Sequence, residues 1–396
     1  MNCGCRLTSL PSVLIHPICN AKLMPQRTMP MSPTELAVSL EPQWCWGAPR
    51  WVPTARHARM AYQRLGAVNG PVWLVLHGGP GSGANPGLVA PFNLKEHQVI
   101  VPDQRGAGSS RPRGRTAGNH TDQLVADLEV LRQHLGLTRW HVLAGSWGTV
   151  LALRYAQCHP NRVGRLVLRG AFALRWSEIR GVLQPHPVRD RAVWADPHWP
   201  RAVHASGPTT LVHVARLLQF ATLCVATLHV VRCWNLMEQR AALRGLWRSL
   251  VHASGCDPSS SESDPTACRQ AWAQLRRRHR LSLGKLQRPG WGRDDRRGLQ
   301  KFRLQAHYLR HRGFMRPGAL DGAVRSLARH ATPTDWVHGR FDAICPPGNS
   351  RRWLSQSDAV ARGVAQGHWP DAGHLASEPA MQLALAGVVR LEPVRR

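Results

Sequence analysis

The amino-acid sequence predicts an α/β fold in which a mostly parallel sheet is flanked by helices and carries an inserted helical block. Short apolar runs that end in glycine or proline turns alternate with segments of helical periodicity. Such alternation favours a parallel sheet that is covered on both faces. The alternation stops near residue 175, and strand character returns near residue 335. The chain between these points is therefore predicted to be an insertion.

The predicted strands are short apolar runs without helical spacing. They cover residues 72–76, 99–101, 141–144, 163–168 and 335–338. Two helices are predicted among them. Residues 122–135 carry apolar side chains at helical spacing, and residues 149–157 follow the third strand. Parallel strands need crossover connections of this kind, which are usually helical.

Four segments are predicted along the 396 residues. Residues 1–50 are rich in Pro, Cys and Met, and we expect them to be an N-terminal extension that is poorly ordered or accessory. Residues 51–175 are the first part of the α/β core, residues 176–325 the helical cap, and residues 326–396 the second part of the core. A serine-rich stretch at residues 259–263 is typical of a linker within the cap.

The net charge of +29 allows two interpretations. A strongly basic chain is typical of a protein that binds nucleic acid or an anionic surface. However, only four of the 52 basic residues are lysine, and the arginines are scattered. The densest run, at residues 276–280, has no interleaved aromatic residues. The pattern favours an ordinary arginine-rich protein, and no nucleic-acid partner is expected.

No apolar run is long enough to cross a membrane, and no membrane partner is expected. The most apolar stretch, residues 217–231, includes Gln219 and His229 and is predicted to be one buried helix. The ten cysteines form no CxxC pair, which indicates neither a zinc site nor a redox motif. No metal or cofactor is expected. The first residues lack the features of a secretory signal, which favours reduced thiols and a cytoplasmic location.

Ser146 lies in the stretch LAGSWGTV, between the third predicted strand and the helix at residues 149–157. A serine on a sharp turn from strand to helix is a nucleophile elbow. The crowded turn needs small residues two positions before and after the serine, and these are Ala144 and Gly148. The N–H of Trp147 is then directed into the site, where it can donate to the oxyanion of a tetrahedral intermediate. Ser146 is therefore predicted to be a nucleophile, with the Trp147 ring as a wall of its pocket.

Asp342 and His374 are the candidate partners of Ser146, because a serine hydroxyl needs a base and a group that orients that base. Asp342 follows the last predicted strand and His374 lies on a later loop. Taken alone, Asp342 is equally typical of a turn, and His374 of a surface or helix-capping histidine. The order Ser, Asp, His along this architecture nevertheless predicts a catalytic triad at the carboxyl ends of the strands.

The first predicted strand ends in HGGPGSG at residues 77–83. Glycine lets a backbone amide approach a substrate oxygen closely, so Gly79 or Gly78 is predicted to be the second oxyanion donor. A phosphate-binding loop is the alternative for such a turn, but the lysine that a P-loop requires does not follow it.

Six stretches together resemble the proline iminopeptidase (prolyl aminopeptidase) family of serine hydrolases. They are HGGPGSG at His77, PDQRGAGSSRP at Pro102, AGSWGTVLALRYAQCHPNRV at Ala144, LVLRGAF at Leu166, HGRFDAICP at His338 and DAGHLASEP at Asp371. The resemblance covers residues 70–175 and 332–380 and implies an α/β-hydrolase core with a helical cap. It also implies an enzyme that removes N-terminal proline from peptides without a metal or an organic cofactor.

The resemblance assigns roles residue by residue. It implies that Ser146 is the nucleophile, Asp342 the orienting acid and His374 the general base, with Trp147 and Gly79 in the oxyanion hole. The stretch at residues 103–106, DQRG, either braces the neighbouring loop or contacts the substrate.

The cap departs from the family, which holds the free amine of its substrate with glutamates in an AWxxWE-like and an ARIENHYF-like stretch. The second stretch reads FRLQAHYL here and places Gln305 at the position of the glutamate. The first corresponds either to AWAQLR, which ends in Arg276, or to CWNLME, which ends in Glu238. The spacing to Gln305 favours Arg276, and the spacing from Ser146 favours Glu238.

These observations lead to one hypothesis and two alternatives. The first is a cytoplasmic serine hydrolase that releases N-terminal proline, or a similar small residue, from peptides through an acyl-enzyme. The second is an esterase or amidase with a remodelled cap, because a pocket with Gln305 and Arg276 binds an ammonium group poorly. The third is a non-catalytic, arginine-rich binding protein, against which the intact order of Ser, Asp and His argues. The expected partner is a peptide or a small acyl substrate.

Overall fold

The computed structural model of the chain describes residues 43–200, 207–219, 223–255, 264–355 and 359–390. Most of the extension expected at residues 1–50 lies outside the described residues. The part that is described already belongs to the core, because the backbone N–H of Gln43 donates to Arg64 and that of Gly66 donates to Gln43.

An eight-stranded sheet forms the centre of the described chain. Its strands are β1 Arg50–Thr54, β2 Ala58–Gly66, β3 Val72–Leu76, β4 Gln98–Pro102, β5 Trp140–Gly145, β6 Val163–Arg169, β7 Thr334–Val337 and β8 Ala365–His368. They lie in the order β1-β2-β4-β3-β5-β6-β7-β8. The pairs β1–β2 and β2–β4 are antiparallel, and every other pair is parallel. The predicted fold class, a mostly parallel sheet between helices, is confirmed.

The central strands are buried because helices cover both faces of the sheet. Every residue of β4 and β6 is buried, which explains why apolar residues dominate these strands, although β6 also buries Arg165 and Arg169. In β3, Leu74 and Leu76 pack into one hydrophobic cluster, while Trp73 and Val75 pack into another. Successive side chains of a strand point to opposite faces, so the sheet separates two cores.

The helices of the described chain are α1 Thr121–His134, α2 Trp147–Cys158, α3 Trp176–Leu183, α4 Arg191–Trp194, α5 Gly207–Gln219, α6 Val225–Gly255, α7 Pro265–Lys285, α8 Arg293–Arg310, α9 Ala319–Arg329, α10 Gly348–Ser355 and α11 Pro379–Arg390. Helices α3 to α8 form a cap inserted between β6 and β7. Helix α9 packs on α2 of the core.

The apolar stretch at residues 217–231 is not the single helix that its composition predicts. Helix α5 ends at Gln219 and α6 begins at Val225, and the described residues between them are not helical. The carbonyl of Cys224 accepts from the N–H of Leu228 and starts α6, while the carbonyl of Leu223 accepts from Trp291 Nε1 at 3.1 Å. Hydropathy alone does not locate this break, because the turn is fixed by a partner far along the chain.

Two cap helices, α6 and α8, are joined by an ion pair and an aromatic stack. The guanidinium of Arg232 pairs with Asp295 at 2.8 Å. It also donates to backbone carbonyls in the stretch from the end of α7 to the start of α8. Trp234 stacks on Phe302 with ring centroids 4.9 Å apart. Tyr308 of α8 then donates to Asn119 Oδ1 of the core at 2.5 Å. The cap is therefore fixed against the core through α8.

Over the parts of the chain that the structure describes, no helix combines the length and the apolar character needed to cross a membrane.

Candidate active site

Ser146 lies between the last residue of β5, Gly145, and the first residue of α2, Trp147. Its backbone has φ 55° and ψ −125°, a conformation that non-glycine residues adopt only where the surrounding structure enforces it. Its N–H donates to the carbonyl of Arg169 in β6 at 2.9 Å. The strand, the sharp turn and the helix have the arrangement that the sequence predicts for a nucleophile elbow.

The residues around the elbow are small because backbone lies against Gly148 and a buried side chain lies against Gly145. A Cβ on Gly148 would come within 2.6 Å of the carbonyl oxygen of Leu76. A Cβ on Gly145 would come within 2.3 Å of the guanidinium of Arg169. Ala144, which was expected to be small, is fully buried between β3 and β6. The turn thus has no space for larger side chains.

His374 and Asp342 are joined by a direct hydrogen bond. Nδ1 of His374 lies 2.7 Å from Oδ2 of Asp342, and both side chains are almost entirely buried. The other carboxylate oxygen, Oδ1, accepts from the N–H groups of Ile344 and Cys345 at 2.8 and 2.9 Å. His338 Nε2 approaches Oδ2 at 3.3 Å. The carboxylate is therefore fixed, and it holds one nitrogen of His374 in place.

The charge of Asp342 is stabilised by its neighbours. Burial alone raises the pKa of a carboxyl group. The adjacent His374 and the hydrogen bonds from His338 and His374 outweigh it and hold the pKa of Asp342 far below its ordinary value. An ionised Asp342 can orient His374 and stabilise a positive charge on its ring.

Ser146 and His374 line the same cavity but are not hydrogen-bonded to each other in this structure. Ser146 Oγ instead lies 4.0 Å from Cys345 Sγ. Hydrogen bonds between a nucleophile and its base are often long in free enzymes and tighten when substrate binds. The order of the strands supports this pairing, since Ser146, Arg169, Asp342 and His374 come at or after the carboxyl ends of β5, β6, β7 and β8, which are adjacent.

The expected oxyanion donors lie beside Ser146. A Cβ on Gly78 would come within 3.1 Å of Ser146 Cβ, and Gly79 has φ +116°, which only glycine adopts freely. Trp147 is the first residue of α2, so its N–H has no partner within the helix. Its ring packs against Tyr308 with centroids 4.8 Å apart and lines the cavity. These positions suit the oxyanion roles that the sequence predicts for Gly78, Gly79 and Trp147.

The DQRG stretch braces the glycine loop. Gln104 donates two hydrogen bonds to His77: its N–H donates to Nε2 at 3.1 Å, and its Nε2 donates to the carbonyl at 2.7 Å. Asp103 accepts from the N–H groups of Ala84 and Ser109 at 2.6 and 2.7 Å. Of the two roles that the sequence left open for this stretch, these contacts correspond to bracing.

Glu238 and Gln305 come together in the cap. Gln305 Nε2 donates to Glu238 Oε1 at 2.8 Å, and both residues line the cavity of Ser146. Lys301 donates to the other oxygen, Oε2. The remaining acceptor of Gln305, Oε1, is buried and has no hydrogen-bond partner among the described residues. The protein encloses this oxygen, which has almost no exposed surface.

Arg276 is separated from these residues. Its guanidinium lies over the ring of Trp272, 4.9 Å from the centroid, and it lines a different cavity between α3, α6 and α7. Of the two alignments of the cap, the geometry agrees with the one that retains Glu238.

The cavity has a volume of about 470 Å³. Its apolar wall includes Phe172, Val182, Met237, Leu275 and Ile344. Polar side chains, among them Asn85, Arg278 and Lys301, share the wall with these apolar residues, and such a mixed lining suits a small organic ligand that carries polar groups. Among the described residues, no group of three or more His, Cys, Asp or Glu side chains could hold a metal ion.

Arg169, Lys301 and Cys345 are among the cavity residues that were not singled out from the sequence. Arg169 donates to the carbonyl of His374, and its position at the end of a buried strand was an available signal. Burial lowers the pKa of Arg169. Burial also raises the pKa of the Cys345 thiol far above its ordinary value, so the thiol stays protonated and does not compete with Ser146 as a nucleophile.

The family model for the alpha/beta hydrolase fold matches residues 71–379. A proline iminopeptidase of Xylella fastidiosa is 31% identical over 326 residues, which are 81% of this chain and 88% of the relative. A proline iminopeptidase of Neisseria gonorrhoeae is 32% identical over 335 residues, 83% of this chain and 90% of the relative. A proline iminopeptidase of Arabidopsis thaliana is 28% identical, over 82% of this chain and 74% of the relative.

Solved structures agree on the fold. An alpha/beta hydrolase from a deep-sea metagenome library matches 86% of this chain and 98% of its own length, with a TM-score of 0.51 and 15% identity. A thermophilic esterase from Thermogutta terrifontis matches 87% of this chain and 97% of its own, with a TM-score of 0.51 and 18% identity. At these identities the likeness establishes the fold alone.

Proposed function

This chain belongs to the proline iminopeptidase family of α/β hydrolases, and from that premise we propose that it releases N-terminal proline from peptides through an acyl-enzyme on Ser146. The observation that carries the proposal is that Ser146, His374 and Glu238 line one cavity, with Asp342 hydrogen-bonded to His374 behind it. A nucleophile, an oriented base and a carboxylate for an amine are the groups that such a reaction needs.

In the first half of the proposed reaction, His374 accepts the proton of the Ser146 hydroxyl while Oγ bonds to the prolyl carbonyl carbon. The carbonyl oxygen becomes an oxyanion, which the N–H groups of Trp147 and of Gly79 or Gly78 stabilise. The tetrahedral intermediate collapses with cleavage of the C–N bond, and His374 donates its proton to the departing amine. Asp342 supports the positive charge on His374 in between.

In the second half, water takes the place of the departed peptide. His374 accepts a proton from the water as its oxygen bonds to the acyl carbon. Collapse of the second intermediate breaks the ester bond, and Ser146 regains its proton from His374. Proline leaves, and neither half of the proposed reaction uses a cofactor.

The substrate end of the cavity supports a small apolar acyl group that carries a nitrogen. Phe172, Met237 and Ile344 provide an apolar wall, which suits a pyrrolidine ring. Glu238, whose side chain is partly exposed in the cavity, provides a carboxylate as an acceptor for N–H groups. The cytoplasmic location and the absence of nucleic-acid partners, both expected from the sequence, remain predictions.

The second candidate is an esterase or amidase whose cap no longer requires a free amine. It is favoured by one specific observation: Glu238 is already paired with Lys301, and a neutral Gln305 occupies the position of the second family glutamate. Such a pocket offers less net negative charge to a substrate ammonium.

The deciding measurement is hydrolysis of prolyl- and alanyl-β-naphthylamide, beside a short-chain nitrophenyl ester, by the wild type and by Ser146→Ala. We expect prolyl-β-naphthylamide to be cleaved faster than the alanyl compound. We expect Ser146→Ala to retain at most about 10⁻³ of that rate, since loss of a triad serine typically costs this much or more. Ser146-dependent cleavage of the ester alone would instead establish the esterase. Equal melting temperatures of the two proteins would exclude misfolding as the cause.

A further inference from the structure

Both carboxylate oxygens of Glu238 are occupied by groups of the chain itself. Lys301 Nζ donates to Oε2, and Gln305 Nε2 donates to Oε1 at 2.8 Å. Lys301 and Gln305 lie four residues apart on α8, so they share one face of that helix. An ammonium group therefore already contacts the carboxylate that a substrate ammonium would need.

The Lys301–Glu238 pair lies inside the proposed acyl site and not behind it. Both residues line the cavity together with Ser146 and His374. Their side chains are only partly exposed, 25% for Lys301 and 24% for Glu238. A ligand in the cavity can thus reach the pair, while the surrounding protein limits the screening of its charges by water.

Contacts within the cap hold the Lys301–Glu238 pair in place. Nζ of Lys301 also lies 4.6 Å from the centroid of the Phe302 ring, and Phe302 stacks on Trp234 of α6. The adjacent ion pair of Arg232 with Asp295 fixes α6 against α8. Lys301 is therefore a preorganised cation, and displacing it from Glu238 is opposed by contacts on both helices.

The electrostatic surroundings reinforce this charge. Arg278 lines the same cavity, and it has no carboxylate partner among the described residues. A second ammonium brought to Glu238 would meet Lys301 at short range, and like charges at such a distance repel. A neutral nitrogen would avoid this repulsion.

We propose that Lys301 is a specificity-determining residue that acts as a built-in cation on Glu238, weakening the binding of protonated amines and admitting acyl groups with a neutral nitrogen. This inference rests on the proposed function, because it concerns the acyl site of the same reaction. It assigns Lys301 no part in bond cleavage.

The test is equilibrium binding to the non-hydrolysing Ser146→Ala protein, compared with the double variant Ser146→Ala/Lys301→Met. Methionine keeps much of the apolar stem of lysine and removes the charge. The ligands are prolinamide, which is cationic at about pH 6.5, and N-acetylprolinamide, which is neutral. Titration calorimetry should show prolinamide binding at least about fivefold more tightly to the double variant, as expected for removal of a partly screened like charge. The affinity for N-acetylprolinamide should stay within about twofold.

Two further variants serve as controls, each made in the Ser146→Ala protein. Lys301→Arg keeps the positive charge and should bind prolinamide as Ser146→Ala does. Lys285→Met removes the same charge from a lysine that pairs with the exposed Asp294 outside the catalytic cavity, and it should also leave the affinity unchanged. The gain from Lys301→Met should vanish near pH 9, where prolinamide is neutral and a lysine remains charged.

Unchanged prolinamide affinity in Lys301→Met, or an equal gain for both ligands, would overturn the inference. The outcome is separable from that of the proposed function. If Ser146-dependent cleavage of prolyl-β-naphthylamide is absent but the charge-selective gain is observed, the aminopeptidase proposal fails and the role of Lys301 stands. If cleavage is present and the gain is absent, the aminopeptidase proposal stands and the role of Lys301 fails.

Discussion

Gly145 shows how one residue allows the candidate site to form. It ends β5 directly before Ser146, and its missing side chain leaves space for the guanidinium of Arg169. That guanidinium is buried and donates to the backbone carbonyl of His374. Gly145 thus connects the position of the nucleophile with the position of the proposed base.

Replacement of Gly145 by alanine should disrupt this arrangement, because the new Cβ would come within 2.3 Å of Arg169. We expect the free energy of unfolding to fall by about 1–3 kcal/mol, the usual effect of overpacking. We also expect kcat for prolyl-β-naphthylamide to fall more than tenfold, a decrease of about 1.4 kcal/mol or more in transition-state stabilisation. Urea unfolding and steady-state kinetics measure the two effects.

Gly387→Ala is the matched control for this substitution. Gly387 lies in α11, and a Cβ there meets nothing within 4 Å. Alanine has a higher helix propensity than glycine, by about 1 kcal/mol, so this variant should be as stable as the wild type or more so, and fully active. Equal behaviour of the two alanine variants would contradict the role given to Gly145.

Among individual site residues, the sequence predicted those that can be identified from local spacing or order along the chain. It missed those whose contacts lie far away along the chain. Ser146 is recognisable from neighbours two positions away. Asp342 and His374 are recognisable from their order along the chain, and the structure joins them at 2.7 Å. The contact of Lys301 with Glu238 spans 63 positions, and no local pattern reports it. Because the roles of these residues have not been tested, they remain proposals.

Among the secondary-structure elements, the buried strands were predictable and the exposed or irregular ones were not. The predicted runs correspond to β3, β4, β5, β6 and β7, each of which has at least one parallel neighbour. The antiparallel strand β2 reads ARMAYQRLG, and its two arginines and one glutamine interrupt the continuous apolar run used as the criterion. β8 has only four residues, AQGH, and too little apolar character to stand out.

The two helices α6 and α8 carry opposite parts of the acyl site, Glu238 on the first and Lys301 and Gln305 on the second. Their clamp is Arg232, which pairs with Asp295 and donates to the carbonyls of Lys285, Arg288 and Gly290. Burial raises the pKa of Asp295, but the hydrogen bond from Arg232 and other contacts bring it below its ordinary value. The pair is therefore charged on both sides near neutral pH.

Arg232→Met should loosen the clamp. Breaking a buried ion pair typically destabilises a protein by about 3–5 kcal/mol, and we expect the lower part of this range because Asp295 is 13% exposed. Misalignment of α6 and α8 should raise KM for prolyl-β-naphthylamide more than it lowers kcat, since the catalytic groups lie in the core. Lys285→Met breaks an exposed pair nearby and should change stability by less than about 1 kcal/mol. A larger effect of Lys285→Met than of Arg232→Met on unfolding would refute the clamp.

In the molecule as a whole, the cap separates the two halves of the core in sequence but not in space. β6 precedes the cap and β7 follows it, yet the two strands are paired directly. The buried pair of Arg165 with Asp335, whose side chains are each 6% exposed, joins the same two strands. Ser146 therefore meets Asp342 and His374 only when the two halves have assembled, which couples the proposed activity to the folding of the entire core.

The loop that carries His374 makes the stability of the whole molecule depend on pH. Glu378 accepts from the N–H groups of Gly373 and Leu375, on either side of His374, at 2.5 and 2.8 Å. Burial of the carboxyl raises its pKa to about 7, whereas a glutamate in an unfolded chain titrates near about 4.3. Between these values the folded protein holds a proton that the unfolded chain releases. The stabilising contribution of Glu378 is thus complete below about pH 4 and is lost as the pH rises through about 7.

Glu378→Gln should remove this dependence, because glutamine does not ionise. We expect the free energy of unfolding of the wild type, minus that of Glu378→Gln, to decrease steadily when urea unfolding is repeated from about pH 5 to about pH 8. Taking the difference cancels the titration of histidines and other groups common to both proteins. Glu96→Gln, at an exposed glutamate, should give a difference that is flat over the same range. A flat difference for Glu378→Gln as well would mean that its carboxyl titrates alike in the folded and unfolded states. That outcome would contradict the pH dependence assigned to Glu378.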